Sequence, residues 1–289
     1  MLPSRNAMKP ELNLTLITTC KGRLHDLQKT LPIMIASTAR EIVVVDYGCP
    51  QGTKDWLKDG FPEIKRVYVD DDPGFNLGRA RNLGAEAATS DWLCFIDADI
   101  VLQPGWAEWV RNNLQPDCYY RVHQDAAPDR DGIWGTVICS REAFMRTGGY
   151  DVAITGYGGD DTDYYERLGV EGYRESPLPP QLLQCIDTPH EAKTTFTQVK
   201  DTQQSLKIGH LYRYIKYNIH AVLGRELNLP QRQRLYKYCR DAVLNNDIQK
   251  PFDLELRTNM HQHRAIVTCK LQYTITAMPD RPSPNPVDN

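Results

Sequence analysis

The sequence predicts an α/β fold, a mostly parallel sheet with helices on both faces, followed by a helical C-terminal appendage. Three observations predict it. Short apolar runs alternate with helically spaced stretches through the first two-thirds of the chain. Several of those runs are continuous rather than alternating, as suits strands covered on both faces. Past about residue 205 the spacing turns helical and basic, with eight Lys or Arg against one acid between 207 and 240.

Taken in order, LNLTLI (12–17) reads as a short strand. In LHDLQKTLPIMIAS (24–37), Leu24, Leu27, Leu31, Met34 and Ile35 recur at helical spacing, and Pro32 is expected to kink or split the helix. EIVVVD (41–46) and IKRVYVD (64–70) read as further strands. GRARNLGAEAA (78–88) reads as a helix with small residues on one side, and DWLCFIDAD (91–99) as the next strand. Beyond about 115 the pattern becomes irregular. GIWGTVICSREAF (132–144) reads as a strand running into a helix, and GGDDTDYYERLGVEG (158–172) as a glycine turn and a short helix stopping at Gly169. Two helices broken near Pro230 follow, with Leu211, Ile215, Ile219 and Val222 as an apolar stripe. RAIVTCKLQYTITAM (264–278) is strand-like. The expected organisation is an α/β domain over 10–205, a mainly helical extension over 206–278 and a disordered Pro-rich tail over 279–289.

With 289 residues and 41% hydrophobic content, the chain can bury a sizeable core. A net charge of -3 argues against a global nucleic-acid footprint. No apolar stretch approaches the roughly 18 residues that cross a bilayer. The first residues carry no charged-then-apolar signal pattern, so the expectation is a cytoplasmic protein or a chain without its anchor. The basic C-terminal helices suit a solvated face, or a peripheral contact with an anionic surface such as the inner face of the membrane. Among the eight cysteines there is no CxxC pair, which argues against a cysteine zinc site. Cys20, Cys94, Cys139, Cys185 and Cys269 sit in or beside apolar runs and are expected as reduced thiols.

Asp46 and the triplet Asp97-Ala98-Asp99 end apolar runs. Carboxyl ends of parallel strands are where ligands bind in such sheets, so these carboxylates are expected to face one crevice. Residues two apart on an extended chain point to the same side. Asp97 and Asp99 would then form a hard-oxygen site for Mn²⁺ or Mg²⁺. A phosphate ligand explains the need. A carboxylate about 4 Å from a phosphate oxygen repels it by roughly 4 kcal/mol at an effective dielectric of 20, and a cation between them reverses the sign. An ordinary acidic turn is the alternative on the triplet alone.

The neighbouring residues make a more specific pattern: Asp46, Gly48, Gly52 and Thr53, then Asn76, Gly78, Ala80, Arg81, Asn82 and Gly84, then Asp97 and Asp99. This resembles the nucleotide-binding half of family-2-type glycosyltransferases of the GT-A fold, a Rossmann-like mixed sheet flanked by helices. Tyr47 and Cys49 stand where that family usually has Asp and Ser. Residues 134–168, including Gly148-Gly149-Tyr150-Asp151 and Gly158-Gly159-Asp160-Asp161, resemble the acceptor segment of β1,4-galactosyltransferases and chondroitin-type polymerases. Tyr157 and Asp160 stand where Trp and Glu are usual there.

The resemblance implies a metal-dependent, inverting transfer of a hexose from a UDP-sugar to a saccharide or glycoconjugate, as in polysaccharide biosynthesis, with galactose or N-acetylgalactosamine favoured. It implies His190 as the third metal ligand beside Asp97 and Asp99, with His123 and the His261/His263 pair as competitors. Thr18, Arg23, Asp46, Arg81 and Asp97 would meet the nucleotide-sugar. Trp134, Tyr157, Gly159 and Asp160 would shape the acceptor pocket. Asp161 would be the base, ionised at neutral pH because a helix N-terminus favours the anion. Helix capping also accounts for part of the Asp160, Asp161 and Asp163 cluster. Two rivals share the fold. A sugar-nucleotide nucleotidyltransferase needs a glycine-rich loop after the first strand, where TTCKGRLHD has one glycine. A non-catalytic binding module would have lost the acidic pair or the base, and both are present.

Overall fold

The computed structural model describes residues 11–187, 190–224, 226–245, 251–260 and 265–274. The chain divides into two compact units between Gly209 and His210. The boundary expected at 205 falls inside a helix, because α8 (Thr202–Leu223) begins before it.

The first unit is built on a seven-stranded sheet. Its strands are β1 (Leu12–Cys20), β2 (Ala39–Asp46), β3 (Lys65–Tyr68), β4 (Trp92–Phe95), β6 (Cys118–Arg121), β7 (Val137–Ser140) and β8 (Arg174–Pro177), in the order β3-β2-β1-β4-β7-β6-β8. β7 alone runs against its neighbours; the other pairings are parallel. The sheet therefore continues through the region whose sequence pattern looked irregular. Strands β6 (CYYR) and β8 (RESP) do not lie in the continuous apolar run that marks the other strands. A separate antiparallel ribbon pairs β5 (Ile100–Leu102) with β9 (Leu183–Cys185).

Helices cover both faces. Helices α1 (Leu24–Ala36), α2 (Thr53–Gly60) and α4 (Trp106–Asn113) pack one face through Leu27, Leu31, Met34, Leu57, Trp106 and Val110. Helices α3 (Leu77–Ala87), α5 (Arg141–Thr147) and α6 (Asp160–Val170) pack the other through Ala80, Ala85, Phe144, Tyr164 and Leu168. Helix α1 is continuous through Pro32, which lies on its exposed side, and Ile35 is exposed rather than part of the buried stripe. Asn76 caps α3, accepting from the Arg79 amide at 2.8 Å. Gly84 lets α3 approach the sheet, since a Cβ there would stand 2.4 Å from Ile17 Cγ2. That close approach carries Arg81, on the same helix, into the interior.

After the short helix α7 (His190–Lys193), α8 runs across the division between units. The second unit continues with α9 (Leu229–Asn245) and an antiparallel hairpin of β10 (Phe252–Met260) and β11 (Ala265–Tyr273). The strand-like reading of 264–278 thus finds a partner strand that the sequence pattern did not single out. Pro230 sits in the first turn of α9, where its missing N–H breaks no helical bond. Within the second unit, Tyr212 meets Tyr236 edge-on at 5.4 Å, and the Tyr238 hydroxyl donates to the Tyr273 carbonyl at 3.1 Å. Ile215 and Ile219 of the expected stripe are buried, but Val222 is exposed. No helix among the described residues is long and apolar enough to cross a membrane. The tail over 279–289 and the pair His261/His263 lie outside the described residues.

Candidate active site

Two features lie along one rim, beyond the carboxyl ends of β3, β2, β1 and β4. The first is a crevice of about 400 Å³ at the ends of β1, β2 and β3, lined by Lys21, Gly48, Pro50, Asp72 and Phe196 among others. The chain folds so because β1 and β2 end in register, Cys20 opposite Asp46. Asp46 is buried, and its Oδ1 accepts from the Cys49 amide at 2.8 Å, turning the loop back over β1. Burial pushes the Asp46 carboxyl above the usual carboxylate range. Tyr47 is fully buried; its hydroxyl donates to Asp72 Oδ2 at 2.6 Å, and Arg79 reaches the same hydroxyl at 3.4 Å. The Lys21 ammonium donates to the carbonyls of Asp72 at 3.2 Å and Gly74 at 2.6 Å. Lys21 was not singled out from the sequence, and Tyr47 was noted only as standing where the resembled family usually has Asp. Their position just beyond strand ends was the available signal.

The second feature is a carboxylate cluster around Arg81, at the end of β4. Arg81 is fully buried on α3. Its Nη2 donates to Asp97 Oδ1 at 3.0 Å and lies 3.4 Å from the Gly135 carbonyl. Nη1 donates to Asp161 Oδ1 and stands 3.8 Å from Asp160 Oδ2. The guanidinium also lies 5.0 Å from the centre of the Tyr150 ring. Burial alone would lower its pKa, but Asp161, Tyr150, Asp97 and Asp160 outweigh that and raise it. Arg81 is thus enclosed by protein carboxylates and clamps Asp97 and Asp161. Next to it, Asn82 exchanges two hydrogen bonds with the Tyr150 backbone, at 3.0 and 2.8 Å, holding the loop before α6 against α3.

The two clamped carboxylates come from distant segments, and Gly135 lies against both. A Cβ at Gly135 would stand 3.2 Å from Asp161 Oδ2 and 3.3 Å from Asp97 Oδ2. Burial, with Asp160 and Asp97 adding to it against the pull of Arg81, lifts the Asp161 carboxyl from 3.8 to about 7. This departs from the expectation of a fully ionised group at neutral pH. The helix N-terminus is present, but desolvation is larger than its effect. Asp160 is buried and raised for the same first reason, and its Oδ2 has no hydrogen-bond partner.

Asp97 and Asp99 do not lie on an extended strand. β4 stops at Phe95, and residues 97–100 turn, with the Ile100 amide donating to the Asp97 carbonyl at 3.1 Å. The turn, rather than strand alternation, brings the two together. It is held from α1 by the Thr30 hydroxyl, which donates to the Ala98 carbonyl at 2.8 Å. Burial and then the neighbouring Asp97 raise the Asp99 carboxyl to about 6, while Arg23 pulls the other way. Two crowded carboxylates, one of them holding its proton above the ordinary range, are a donor set that a hard divalent cation would fit. Among the described residues, no group of three or more His, Cys, Asp or Glu is gathered closely enough to hold a metal. His190 opens α7, but its side chain lies outside the described residues. The competitor His123 is engaged elsewhere, with Nε2 3.1 Å from Glu175 on β8.

The remaining expected residues divide. Arg23 sits at the start of α1, 3.5 Å from Asp26. Thr18 is fully buried on the same face of β1 as Leu16 and Cys20, which pack in the core on the α1 side. Its hydroxyl has no hydrogen-bond partner. Trp134 donates its indole N–H to the Ala127 carbonyl at 3.1 Å, and its carbonyl accepts from the Tyr165 hydroxyl. Tyr157 is half-buried under the Lys193 ammonium, and its amide donates to Ser205 Oγ at 2.8 Å. Gly159 caps α6 at φ 94°, and the Cα of Gly209 would lie 3.0 Å from a Cβ there. The Gly158-Gly159 pair lets the start of α6 lie close against α8, where Leu206 and Gly209 would meet a Cβ at either position.

Residues 15–169 match the family model of glycosyl transferase family 2. A human relative described as probable polypeptide N-acetylgalactosaminyltransferase 8 is 22% identical over 274 residues, covering 73% of this chain. The chain spans 42% of the length of that relative. A mannosyltransferase from Pyrobaculum calidifontis, solved with GDP-Man and Mn²⁺, superposes with a TM-score of 0.52 at 16% identity, over 82% of this chain and 75% of the other. Residues 1–349 of S. aureus TarS, solved with UDP-GlcNAc, give a TM-score of 0.53 at 11% identity, over 81% and 73%. The α/β fold is that of the GT-A glycosyltransferases.

Proposed function

The chain belongs to glycosyl transferase family 2, and from that premise we propose that it is a metal-dependent, inverting glycosyltransferase. It moves a hexose from a UDP-sugar to a hydroxyl of a saccharide or glycoconjugate. One observation carries this reading: Asp97, at the end of β4, and Asp161, at the start of α6, meet across Arg81 and Gly135, on the same sheet rim as the crevice.

The crevice at the ends of β1, β2 and β3 takes the nucleotide. Asp97 and Asp99 hold the cation, with His190 as the further ligand. A bound Mn²⁺ or Mg²⁺ supplies the positive charge that the leaving diphosphate needs. Asp161 accepts the proton of the acceptor hydroxyl. Its Oδ1 is held by Arg81, which leaves Oδ2 for that proton. A carboxylate with a pKa near 7 is a stronger base than one at its ordinary value, and such a group contributes about 10²–10⁴-fold. Arg81 positions both carboxylates and lies between their charges. Asp160, buried beside Asp161 with its Oδ2 3.8 Å from Arg81, shapes the wall of the acceptor pocket from within. UDP as the carrier is supported by the TarS neighbour, solved with UDP-GlcNAc. Galactose or N-acetylgalactosamine is favoured by the resemblance of residues 134–168 and by the description of the human relative.

Incubation with a panel of UDP-sugars, Mn²⁺ and saccharide acceptors tests the reading by UDP release. Acceptor-dependent release is expected, with proton NMR of the product showing a β-linkage from an α-linked donor. An α-linked product would exclude single displacement with Asp161 as base.

A further inference from the structure

We propose that Cys20 and Cys49 are a two-thiol oxidation site, closing to a reversible disulfide with peroxide and altering nucleotide binding in the adjoining crevice. Cys20 ends β1 and is fully buried; Cys49 lies in the loop after β2 and is partly exposed. Their sulfurs stand 3.9 Å apart. Hydrogen bonds tie the two segments together and fold the second loop back on itself. The Tyr47 amide donates to the Cys20 carbonyl at 3.0 Å, and the Cys49 amide to Asp46 Oδ1 at 2.8 Å. The Leu24 amide donates to Gln51 Oε1 at 2.8 Å. The sulfurs must close from 3.9 Å to a bonded separation of about 2 Å.

The surroundings distinguish the two sulfurs. Cys49 Sγ accepts from the Gly22 amide at 3.2 Å, and the Cys20 thiol points at it. The hydrogen bond from Cys20, then those from Thr53 and the loop amides, lower the Cys49 pKa against its burial. The same contact and burial raise that of Cys20. Cys49 is thus the reactive thiolate and Cys20 the resolving thiol. The Cys49 sulfur attacks one peroxide oxygen, the O–O bond breaks, and a sulfenic acid and water result. The Cys20 sulfur then attacks the sulfenic sulfur; the S–S bond forms, the S–O bond breaks, and the hydroxide leaves with the Cys20 proton as a second water. Two thiols and one hydrogen peroxide give one disulfide and two waters.

The link ties the loop holding Lys21 to the loop holding Gly48 and Pro50, and all three line the crevice. Only this second half rests on the crevice being the nucleotide site. The test treats the full chain with hydrogen peroxide, alkylates the remaining thiols and maps tryptic peptides by mass spectrometry without reductant. Expected is a linked peptide pair holding Cys20 and Cys49, released by dithiothreitol and absent from Cys49→Ser and Cys20→Ser. Calorimetry with UDP and Mn²⁺ should show a several-fold change in affinity on oxidation, reversed by dithiothreitol. Alkylated Cys20 with Cys49 oxidised to sulfinic acid, or a link to another cysteine, overturns the site. A linked pair with unchanged UDP affinity overturns its effect on the crevice. If the reduced protein binds no UDP, the donor reading fails, and the peptide map still decides the disulfide.

Discussion

Replacing Asp161 by Asn should make the protein more stable in a pH-dependent way while removing its turnover. Asp161 is held at about 7 in the folded protein against an ordinary 3.8. Between those values the folded state keeps a proton that the unfolded chain has released. Stability from this group is therefore full below about pH 4 and is lost as pH rises through about 7. At about 1.4 kcal/mol per pKa unit, ionising it in the folded state costs about 4 kcal/mol. The side chain is 29% exposed, so water screens part of that, and the expected plateau is about 2 to 4 kcal/mol. The amide that replaces the carboxyl does not titrate. The stability of Asp161→Asn minus that of the wild type should rise with pH from about 4 and level off above about 7. The pull of Arg81 on the ionised carboxyl is already contained in the value of about 7, so replacing the carboxyl by an amide adds only a pH-independent offset and leaves the rise intact. Urea unfolding followed by tryptophan fluorescence, in buffers stepped across that range with chelator present, measures the difference. A flat difference, or one that grows toward acid, would refute the claim that burial dominates the Asp161 environment. Turnover of the same variant should fall by about 10²–10⁴-fold with donor binding kept.

Asp99→Asn should abolish Mn²⁺-dependent UDP binding in calorimetry while the thermal melt stays cooperative. In the wild type, metal affinity should fall as pH drops below about 6, because a carboxylate raised to about 6 must lose its proton to ligate. Gly135→Ala would put a methyl against Asp97 and Asp161, and kcat should fall by about 10- to 100-fold with the circular dichroism spectrum unchanged. His190→Ala should weaken Mn²⁺ binding clearly more than His123→Ala, which already faces Glu175; equal losses would remove His190 from the site.

The sequence by itself determined the α/β layering of the first two-thirds, the strand end at Asp46, and the helix carrying Arg81. These are local facts. A buried strand needs a continuous apolar run, and a helix packed on a sheet needs a small, periodic face. Asn76 and Gly84 were visible only as part of the motif that carries the family resemblance; their work in capping and close helix approach is seen in the structure. Tertiary structure alone decided what Arg81 does. Its position on α3 says nothing about a charge cluster until α6, 80 residues later, brings Asp161 within hydrogen-bond reach. It also decided the protonation of Asp161, because desolvation depends on everything packed around the carboxyl, and the helix N-terminus visible in the sequence is the smaller effect. The turn that gathers Asp97 and Asp99 was hidden because an apolar run before two acids reads the same whether the strand continues or stops at Phe95. Strands β6 (CYYR) and β8 (RESP) were hidden because neither lies in the continuous apolar run that marks the other strands, and they are fixed by pairing with segments far along the chain. The same long-range pairing sets Cys20 beside Cys49, since β1 and β2 must lie parallel and in register before their ends can meet.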